Sequence, residues 1–337
     1  MAGVNVPTSA VIREDLTGFV AGFNPALSGF VAHKVLPPFA VNKADGVFYR
    51  IPADAWLKSV STRRAAYGST SKSTYTKEQD TWRLEDYSHG EANDATDDRA
   101  YQTREQAERV RTIRTAGTIL RDYENVVASQ LFNETNYPLS GSTGIDAAVK
   151  WTTLATSVPV ANVQAAKQLI RASTGMEANM VVIPKANVEL ASNSATVLDR
   201  IRGYDPRSAQ GELEAGLWAE LFGVPLEGII IPNSFRNSAN QGLAASATPA
   251  WSNDYIGVGV HNVTDDLETP QLGRSFMLSS EYTATGADST GTQNIDDARI
   301  IVDEYSDPDT KTNVLRSSMF RHAKRLINSC WVLIKVR

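Results

Sequence analysis

The side chains best suited to chemistry are four histidines, one cysteine and a short glycine motif. The histidines are scattered and none stands at metal-ligand spacing to another ligand: His33, His89, His261 and His322. Cys330 lies in an apolar stretch, which is typical of a buried, inert thiol. Gly257-Val258-Gly259 lacks the third glycine of a dinucleotide fingerprint and indicates a tight strand. We therefore predict no catalytic residue, no cofactor and no metal, and expect a protein that is not an enzyme.

Two groups of acidic residues are compared with the pattern of a calcium-binding loop. They are Asp265, Asp266 and Glu268, and, nearer the C-terminus, Asp303, Glu304, Asp307 and Asp309. A calcium loop needs alternating oxygen ligands and a glycine at the turn, and Lys311 breaks that pattern in the second group. The sequence therefore predicts a solvated acidic turn at each place.

Composition limits the classes of protein that remain. The 337 residues suffice for one large core or two modest ones, and the 42% hydrophobic and 21% charged contents are ordinary. A net charge of −5 argues against a dedicated nucleic-acid binder, although it suits a wall around enclosed DNA. The single cysteine excludes an intramolecular disulfide and fits a reducing cytosol. Without a signal-peptide pattern or an apolar run of ~18 residues, we expect no membrane partner.

The clearest pattern is a change of charge along residues 55–98. A basic segment without any acid comes first, and an acidic block with Glu85, Asp86 and Glu91 follows. Opposite charges of this kind favour pairing between subunits, which gives register and orientation more than affinity. The alternative is two solvated faces that never meet. The candidate intersubunit residues are Lys58, Arg63, Arg64, Lys72, Lys77, Glu91, Asp94, Asp97 and Asp98.

The elements that carry these charges can be predicted from the hydrophobic pattern. Residues 47–51 and 74–84 have the β texture of a long two-stranded ribbon. Residues 99–132 predict one long helix, with Thr96, Asp97 and Asp98 as its N-terminal signal. Gly117 weakens such a helix by about 1 kcal/mol, so it indicates the close approach of another backbone unless it is there by chance.

The remaining chain is assigned by the same criteria. Residues 1–45 are apolar but rich in glycine and proline, which predicts an extended arm packed on its own domain or on a neighbour. The expected middle elements are helices at 160–173 and 186–202, strands at 180–183, 226–231 and 255–260, and loops at 233–250 and 283–298. The end is mainly strand, at 299–302, 319–327 and 331–334. After Asp309 it is basic without acids, which indicates a guarded strand edge, an intersubunit role or a nucleic-acid face.

In this order the elements resemble the major capsid proteins of tailed bacteriophages, which share the Hong Kong ninety-seven-type capsid fold. Residues 30–37 followed by Gly46-Val47-Phe48-Tyr49 are similar to the junction of arm and extended loop. Residues 63–68 stand where that loop returns, and residues 101–132 resemble the spine helix. Further likeness lies in the middle domain, at residues 175–184 and 197–201 and in Leu221-Phe222-Gly223-Val224-Pro225 before a strand.

The resemblance implies an α+β fold with an arm, an extended β-hairpin loop, a spine helix with a β-sheet peripheral domain, and an α/β axial domain. The implied boundaries are arm 1–45, extended loop 46–98, peripheral domain 99–136 with 299–337, and axial domain 137–298. The implied function is a major head protein that forms pentamers and hexamers of an icosahedral shell packaging double-stranded DNA. The alternatives are an encapsulin-like compartment shell and a cytosolic α/β enzyme with its site in residues 233–298.

The same resemblance implies the partners. They are further copies of the chain, a portal, a separate scaffolding protein, a decoration protein and DNA held without sequence specificity. The implied location is the virion, assembled in the cytoplasm of a host bacterium.

Overall fold

The main elements of the structure are two β-sheets and one long helix. The computed structural model describes residues 11–21, 29–52, 55, 57–59, 62–64, 66–72, 76–93, 104–202, 213–239, 242–262, 266–278, 300–307 and 312–337. The strands are β1 (Val11–Ile12), β2 (Pro38–Val41), β3 (Asp45–Arg50), β4 (Glu78–Arg83), β5 (Glu85–Asn93), β6 (Gly144–Asp146), β7 (Met180–Val182), β8 (Ile229–Ile230), β9 (Phe235–Asn237), β10 (Ala247–Pro249), β11 (Tyr255–Gly259), β12 (Gly273–Leu278), β13 (Ile301–Asp307), β14 (Thr312–Arg325) and β15 (Trp331–Lys335). The helices are α1 (Glu14–Ala21), α2 (Ala32–Val35), α3 (Arg104–Leu131), α4 (Pro159–Thr174), α5 (Lys185–Ser192), α6 (Ala195–Arg202) and α7 (Ala215–Phe222).

The larger sheet is built around β14. Its strand order is β1-β13-β14-β12-β2, and β5 pairs with the other side of β14. The long helix α3 packs on this sheet through Ile119, Tyr123 and Val127, which share a buried cluster with Met319 of β14. A hydrogen bond of 2.7 Å between the hydroxyls of Thr115 and Ser317 lies inside the same interface. The predicted long helix is therefore confirmed over the described residues, and its apolar stripe is the face that meets the sheet.

The second sheet forms the other half of the molecule. Its order is β6-β15-β11-β7-β8, and helices α4 to α7 supply the side chains that cover it, including Ile170, Val188 and Trp218. Strand β11 contains Gly257 and Gly259, and an added Cβ on Gly257 would lie 1.9 Å from the ring of Trp331. The tight strand expected from the glycine pattern is confirmed, because only glycine leaves room for this buried indole.

Strands β3 and β4 form a separate two-stranded ribbon. The two strands are antiparallel, with Phe48 opposite Asp80 and Tyr49 opposite Gln79. The predicted ribbon is therefore confirmed. The strand β5, which follows it, belongs to the larger sheet instead, although its sequence lies inside the segment expected to form the extended loop.

Several local predictions from the sequence need correction. The helix expected at 186–202 is two helices, because the N–H of Ala195 bonds to Leu154 and the hydroxyl of Ser194 bonds to the carbonyl of Ser157. The strand expected at 226–231 begins with a 3-10 turn, Leu226–Gly228, and the loop expected at 233–250 contains the hairpin β9–β10.

Two further expectations about position are also wrong. Asp303 lies in β13 and is only 4% exposed, so it is not part of a solvated turn. Strand β14 is central in its sheet, so its basic residues do not guard an edge. Nothing among the described residues lies within 4 Å of a Cβ built on Gly117, so the close approach of another backbone to that glycine stays a prediction for a neighbouring copy.

Each sheet contains a strand from the chain segment that was expected to build the other domain. Strand β12 comes from residues 137–298 but pairs with β14 in the larger sheet. Strand β15 comes from residues 299–337 but pairs with β11 and β6 in the smaller sheet. The chain therefore crosses between the two halves more than once, and the division into domains stays a prediction.

Candidate assembly surface

The ribbon β3–β4 is fixed to the body of the molecule by aromatic packing at its base. Phe48 is only 6% exposed, and its ring centre lies 5.4 Å from that of Phe276 in β12. The ring of Trp82 stacks on Phe276 at 5.5 Å with an interplanar angle of 12°. Aromatic pairs at such distances contribute about 0.5–1.5 kcal/mol beyond the area that they bury. The base of the ribbon is therefore an integral part of the core.

Polar contacts add a second attachment on the same side. Lys324 donates to the carboxylate of Asp80 and to the carbonyl of Thr81, and the N–H of Arg83 donates to Nδ1 of His322 over 3.1 Å. Burial, aided by the charge of Lys324, lowers the pKa of His322, so the imidazole is neutral and able to accept this bond near neutral pH. Burial raises the pKa of Asp80, but the hydrogen bonds from Lys324 and from the N–H of Thr81 outweigh it, and the net shift is downward.

The outer face of the ribbon carries two exposed apolar side chains next to the polar Thr81 and Gln79 of β4. Val47 and Tyr49 alternate with the buried Phe48, and they are 46% and 53% exposed. Large apolar groups that stand together on a surface mark sites for a partner more often than isolated ones do. This face is a place where a second protein surface can pack.

Beyond the ribbon, the basic segment is exposed and holds no acid. Lys58, Arg63, Arg64 and Lys72 all lie at the surface. Tyr67 is fully exposed and has a φ of 63°, which a residue other than glycine adopts uncommonly. The guanidinium of Arg64 donates to the carbonyl of Gly68 across this turn. The segment therefore presents positive charge on both sides of a protruding tyrosine.

Lys77 and Glu91 have partners inside their own chain. Lys77 forms an ion pair with Glu268, and both side chains are about half exposed. Glu91 accepts a hydrogen bond of 3.0 Å from Arg114 of α3. Exposed pairs of this kind contribute about 0–1 kcal/mol, so exchange for a partner on a neighbour would have a small free-energy cost. Their intersubunit role stays a prediction.

Strand β5 supplies the acidic counterpart to the basic segment. It pairs with β14 on one side, and no other strand among the described residues pairs with it. Glu85 accepts a bond from the hydroxyl of Tyr87, while burial, with the charge of Asp303 beside it, raises the pKa of Asp86 against the opposite effect of Arg316. A free strand edge carries unpaired N–H and C=O groups that a second chain can meet. The remaining candidate acids, Asp94, Asp97 and Asp98, lie outside the described residues.

The basic residues near the C-terminus are used inside the molecule. Arg316 forms two hydrogen bonds with Asp303, and Lys335 pairs with Glu134 at 3.0 Å. Arg321 is 2% exposed, pairs with Asp122 of α3 and lies 4.1 Å from the ring centre of Tyr87. These contacts hold the three side chains within the chain, and an intersubunit or nucleic-acid role of the basic C-terminal residues stays a prediction.

Sequence reasoning missed one buried acid, Glu124. It has no exposed surface and interrupts the apolar stripe of α3. Its carboxylate accepts hydrogen bonds from the N–H groups of Val31 and Ala32 over 2.9 and 2.8 Å, and from the indole N–H of Trp251. The only signal in the sequence was the charge itself, standing where an apolar residue fits the helical pattern.

The described residues contain no group of three or more His, Cys, Asp and Glu residues that could hold a metal. Burial raises the pKa of Cys330 to about 12, which keeps the thiol protonated. No helix in the described part of the chain is long and apolar enough to cross a membrane.

Comparison with solved structures relates this arrangement to known proteins. The chain is similar to a phage-related protein from Bordetella bronchiseptica RB50, with a TM-score of 0.69 and 15% identity over 97% of this chain and 98% of the other. It is also similar to a candidate prophage capsid protein of Escherichia coli CFT073, with a TM-score of 0.52 and 11% identity over 97% and 99%. No family model and no curated protein matches the sequence.

The agreement extends over nearly the full length of both chains. The mixed helix and sheet architecture predicted from the sequence is confirmed by this likeness. The chain shares the fold of these two proteins, which is the capsid fold of the Hong Kong ninety-seven type.

Proposed function

We propose that this chain is a major capsid protein whose copies assemble, as pentamers and hexamers, into an icosahedral shell that packages double-stranded DNA. The observation that carries the proposal is the capsid fold, which covers 97% of the chain in its likeness to the phage-related protein and to the candidate prophage capsid protein. A fold alone does not define a function, so the surface of the molecule must supply the rest of the argument.

The surface supports self-assembly because positively and negatively charged side chains are exposed on different elements. The basic segment around Tyr67 carries positive charge, and β5 carries acids beside an edge with which no described strand pairs. The outer face of the ribbon adds Val47 and Tyr49. We infer that the basic segment of one copy lies against the acidic strand of the next. A shell subunit must bury several thousand Å² in such contacts, and the charge pairs set register within them.

The remaining partners follow from the same proposal. Besides further copies of itself, the protein would meet a portal, a separate scaffolding protein and a decoration protein in the virion. The net charge of −5 suits a wall that encloses DNA without binding it tightly. Assembly would take place in the cytoplasm of the host bacterium.

A replacement of the basic segment tests the proposal. Residues 58–76 are exchanged for a flexible Gly-Ser linker, which keeps β3, β4 and the aromatic packing of Phe48, Trp82 and Phe276. We expect the variant to stay folded by circular dichroism but to form no shells in negative-stain micrographs. Because the linker leaves the ribbon base intact, loss of assembly would not follow from misfolding.

A matched control keeps the segment and changes a charge elsewhere. Glu105→Gln removes an exposed charge from the first turn of α3, where it forms an i,i+4 ion pair with Arg109 of the same helix. This variant is expected to assemble like the unchanged protein. Normal shells from the linker variant would contradict the proposed role of the segment.

A further inference from the structure

An open cleft of about 760 Å³ lies where the base of the ribbon meets the ends of α3 and β14. This volume falls within the range of about 300–1,000 Å³ that is typical of ligand-binding clefts. Its neutral polar lining comes from Gln130, Ser173, Asn328 and Ser329. Amides and hydroxyls of this kind can both donate and accept hydrogen bonds, so the backbone of an entering segment can find partners there.

Three cations also line the cleft, and two of them are paired with acids of the ribbon. Arg50 forms an ion pair with Glu78 at 3.0 Å, and Lys324 pairs with Asp80. Their charges are therefore largely balanced by the lining itself. The third cation is Arg325, at the end of β14.

Arg325 has no such partner in the part of the chain that the structure describes. It is half-buried, no described acid forms an ion pair with it, and its Nη1 atom is buried without a hydrogen-bond acceptor. The guanidinium lies 5.6 Å from the ring centre of Tyr137, which attracts a cation but does not neutralise it. A partly desolvated guanidinium is best satisfied by a carboxylate. The cleft therefore suits a segment that brings an acid to Arg325.

The chain itself contains a segment of this chemistry. Residues 94–103 connect β5 to α3 and carry Asp94, Asp97 and Asp98 against one cation, Arg99. The segment is therefore acidic and short, and it is held at both ends by elements of the larger half of the molecule.

Distance excludes the cleft of the same copy as the binding site for these acids. Asn93, the last residue of β5, lies opposite Asn313, and β14 runs from there to Arg325. At about 3.3 Å per residue this separation is roughly 40 Å. Asp98 reaches only about 18 Å from Asn93 even in a fully extended chain. The acids can therefore meet an Arg325 only on another copy.

We propose that residues 94–98 of one copy enter the cleft of a neighbouring copy and place a carboxylate on Arg325. The contact joins unlike surfaces from opposite ends of the molecule, so it is heterologous and continues from copy to copy until a ring closes. The inference rests on the proposed function, because it names a contact through which assembled copies meet. It is separate from the contact between the basic segment and β5.

A peptide titration tests the cleft without the need for assembly. A peptide of residues 90–101 with blocked ends is titrated into the purified full-length chain by isothermal titration calorimetry. We expect a dissociation constant of about 0.1–1 mM, because a free peptide loses conformational entropy on binding. Arg325→Gln should weaken binding about ten-fold. The control Arg236→Gln removes an exposed cation from β9 and should leave binding unchanged.

A change in the peptide keeps the test decisive if Arg325→Gln folds poorly. A peptide in which Asp94, Asp97 and Asp98 are all replaced by asparagine should bind at least about ten-fold more weakly to the unchanged protein. This comparison does not depend on the folding of any variant.

Disulfide formation in the assembled protein locates the contact. Asn328 is exposed at the cleft, Thr96 stands between the acids in the sequence, and the native Cys330 is buried. Thr96→Cys combined with Asn328→Cys should give covalent multimers of several copies under mild oxidation. The control combines Thr96→Cys with Ser69→Cys in the basic segment and should not.

The outcomes separate this contact from the proposed function. No binding of the acidic peptide would overturn the contact, as would equal binding by Arg325→Gln and the unchanged protein, or equal binding of the asparagine peptide. Shells in which Thr96→Cys with Asn328→Cys gives no covalent multimers would also overturn it, and they would leave the proposed function intact. Specific peptide binding by a chain that never assembles would support the cleft and contradict the proposed function instead.

Discussion

Asp303 and Arg316 face each other across β13 and β14, and the guanidinium donates two hydrogen bonds to the carboxylate. The Asp303 side chain is only 6% exposed, while that of Arg316 is 26% exposed. Two parallel bonds between a planar guanidinium and a carboxylate fix both the distance and the angle between the strands. The pair therefore links β13, which also pairs with β1, to β14 at the centre of the larger sheet.

Loss of this pair is expected to destabilise the subunit strongly. Asp303→Asn removes the negative charge but keeps the size of the side chain, and it leaves Arg316 partly buried without its partner. We expect the free energy of unfolding, from denaturant titration of the unassembled protein, to fall by about 2–3 kcal/mol. The control Glu268→Gln breaks the exposed pair with Lys77 and should change it by less than about 1 kcal/mol. Equal effects of the two variants would contradict this account of the sheet.

The stability that the base of the ribbon contributes should depend on pH through His322. Because burial lowers the pKa of His322, the neutral form that accepts from Arg83 stabilises the folded state above about pH 6.5, and this contribution is lost as pH falls below it. His322→Asn keeps an acceptor and cannot titrate. We expect its melting temperature to fall less than that of the unchanged protein between pH 7.5 and pH 5.

An exposed histidine on the same sheet provides the comparison. His89 lies at the surface on β5, and His89→Asn should follow the unchanged protein at every pH. If His322→Asn also follows it, the imidazole does not hold the ribbon base.

Substitution by alanine is expected to have opposite effects on the stability of the subunit at Gly257 and at Gly117. A Cβ on Gly257 would lie 1.9 Å from the fully buried ring of Trp331, so Gly257→Ala should destabilise the subunit by about 3 kcal/mol or leave it insoluble. A Cβ on Gly117 meets nothing within 4 Å, so Gly117→Ala should stabilise the free subunit by about 1 kcal/mol through helix propensity. Denaturant titration measures both. A loss of stability in Gly117→Ala would show that the helix face is more crowded than the contacts indicate.

Exchange of charges tests the proposed contact between copies. Arg63→Glu with Arg64→Glu should prevent shells, and so should Glu85→Lys with Glu91→Lys on β5, because each places like charges together at the interface. All four changes combined should restore shells, as judged by micrographs and sedimentation. Normal shells from either pair alone, or no shells from the combined variant, would show that the basic segment and the acidic strand do not meet.

The sequence was sufficient for the elements whose signals are local. The ribbon, the long helix, the helix ending at Gly175 and the buried strand at Met180–Val182 follow from periodicity and turn residues. The charge pattern also indicated an exposed basic segment. The break between α5 and α6 could not be predicted, because its cause is a carbonyl of Leu154 far away in the chain.

The same reason explains the errors in assigning charged residues. Asp303 looked like part of a solvated turn, and Arg316 and Arg321 looked like surface charges. Their partners come from other strands and from α3, so only the tertiary structure reveals them. Glu124 was overlooked because its hydrogen bonds come from residues about 90 and 110–127 positions away.

The size of the particles formed by the purified, unmodified chain tests the central claim most directly. Sedimentation velocity, followed by negative-stain microscopy of the fastest fraction, separates single subunits from rings of five or six copies and from closed shells. The proposed function predicts rings or closed shells with icosahedral outlines, with the share of assembled protein rising with concentration. A single sedimenting species with the mass of one subunit at every concentration, with no particles on the grid, would contradict it.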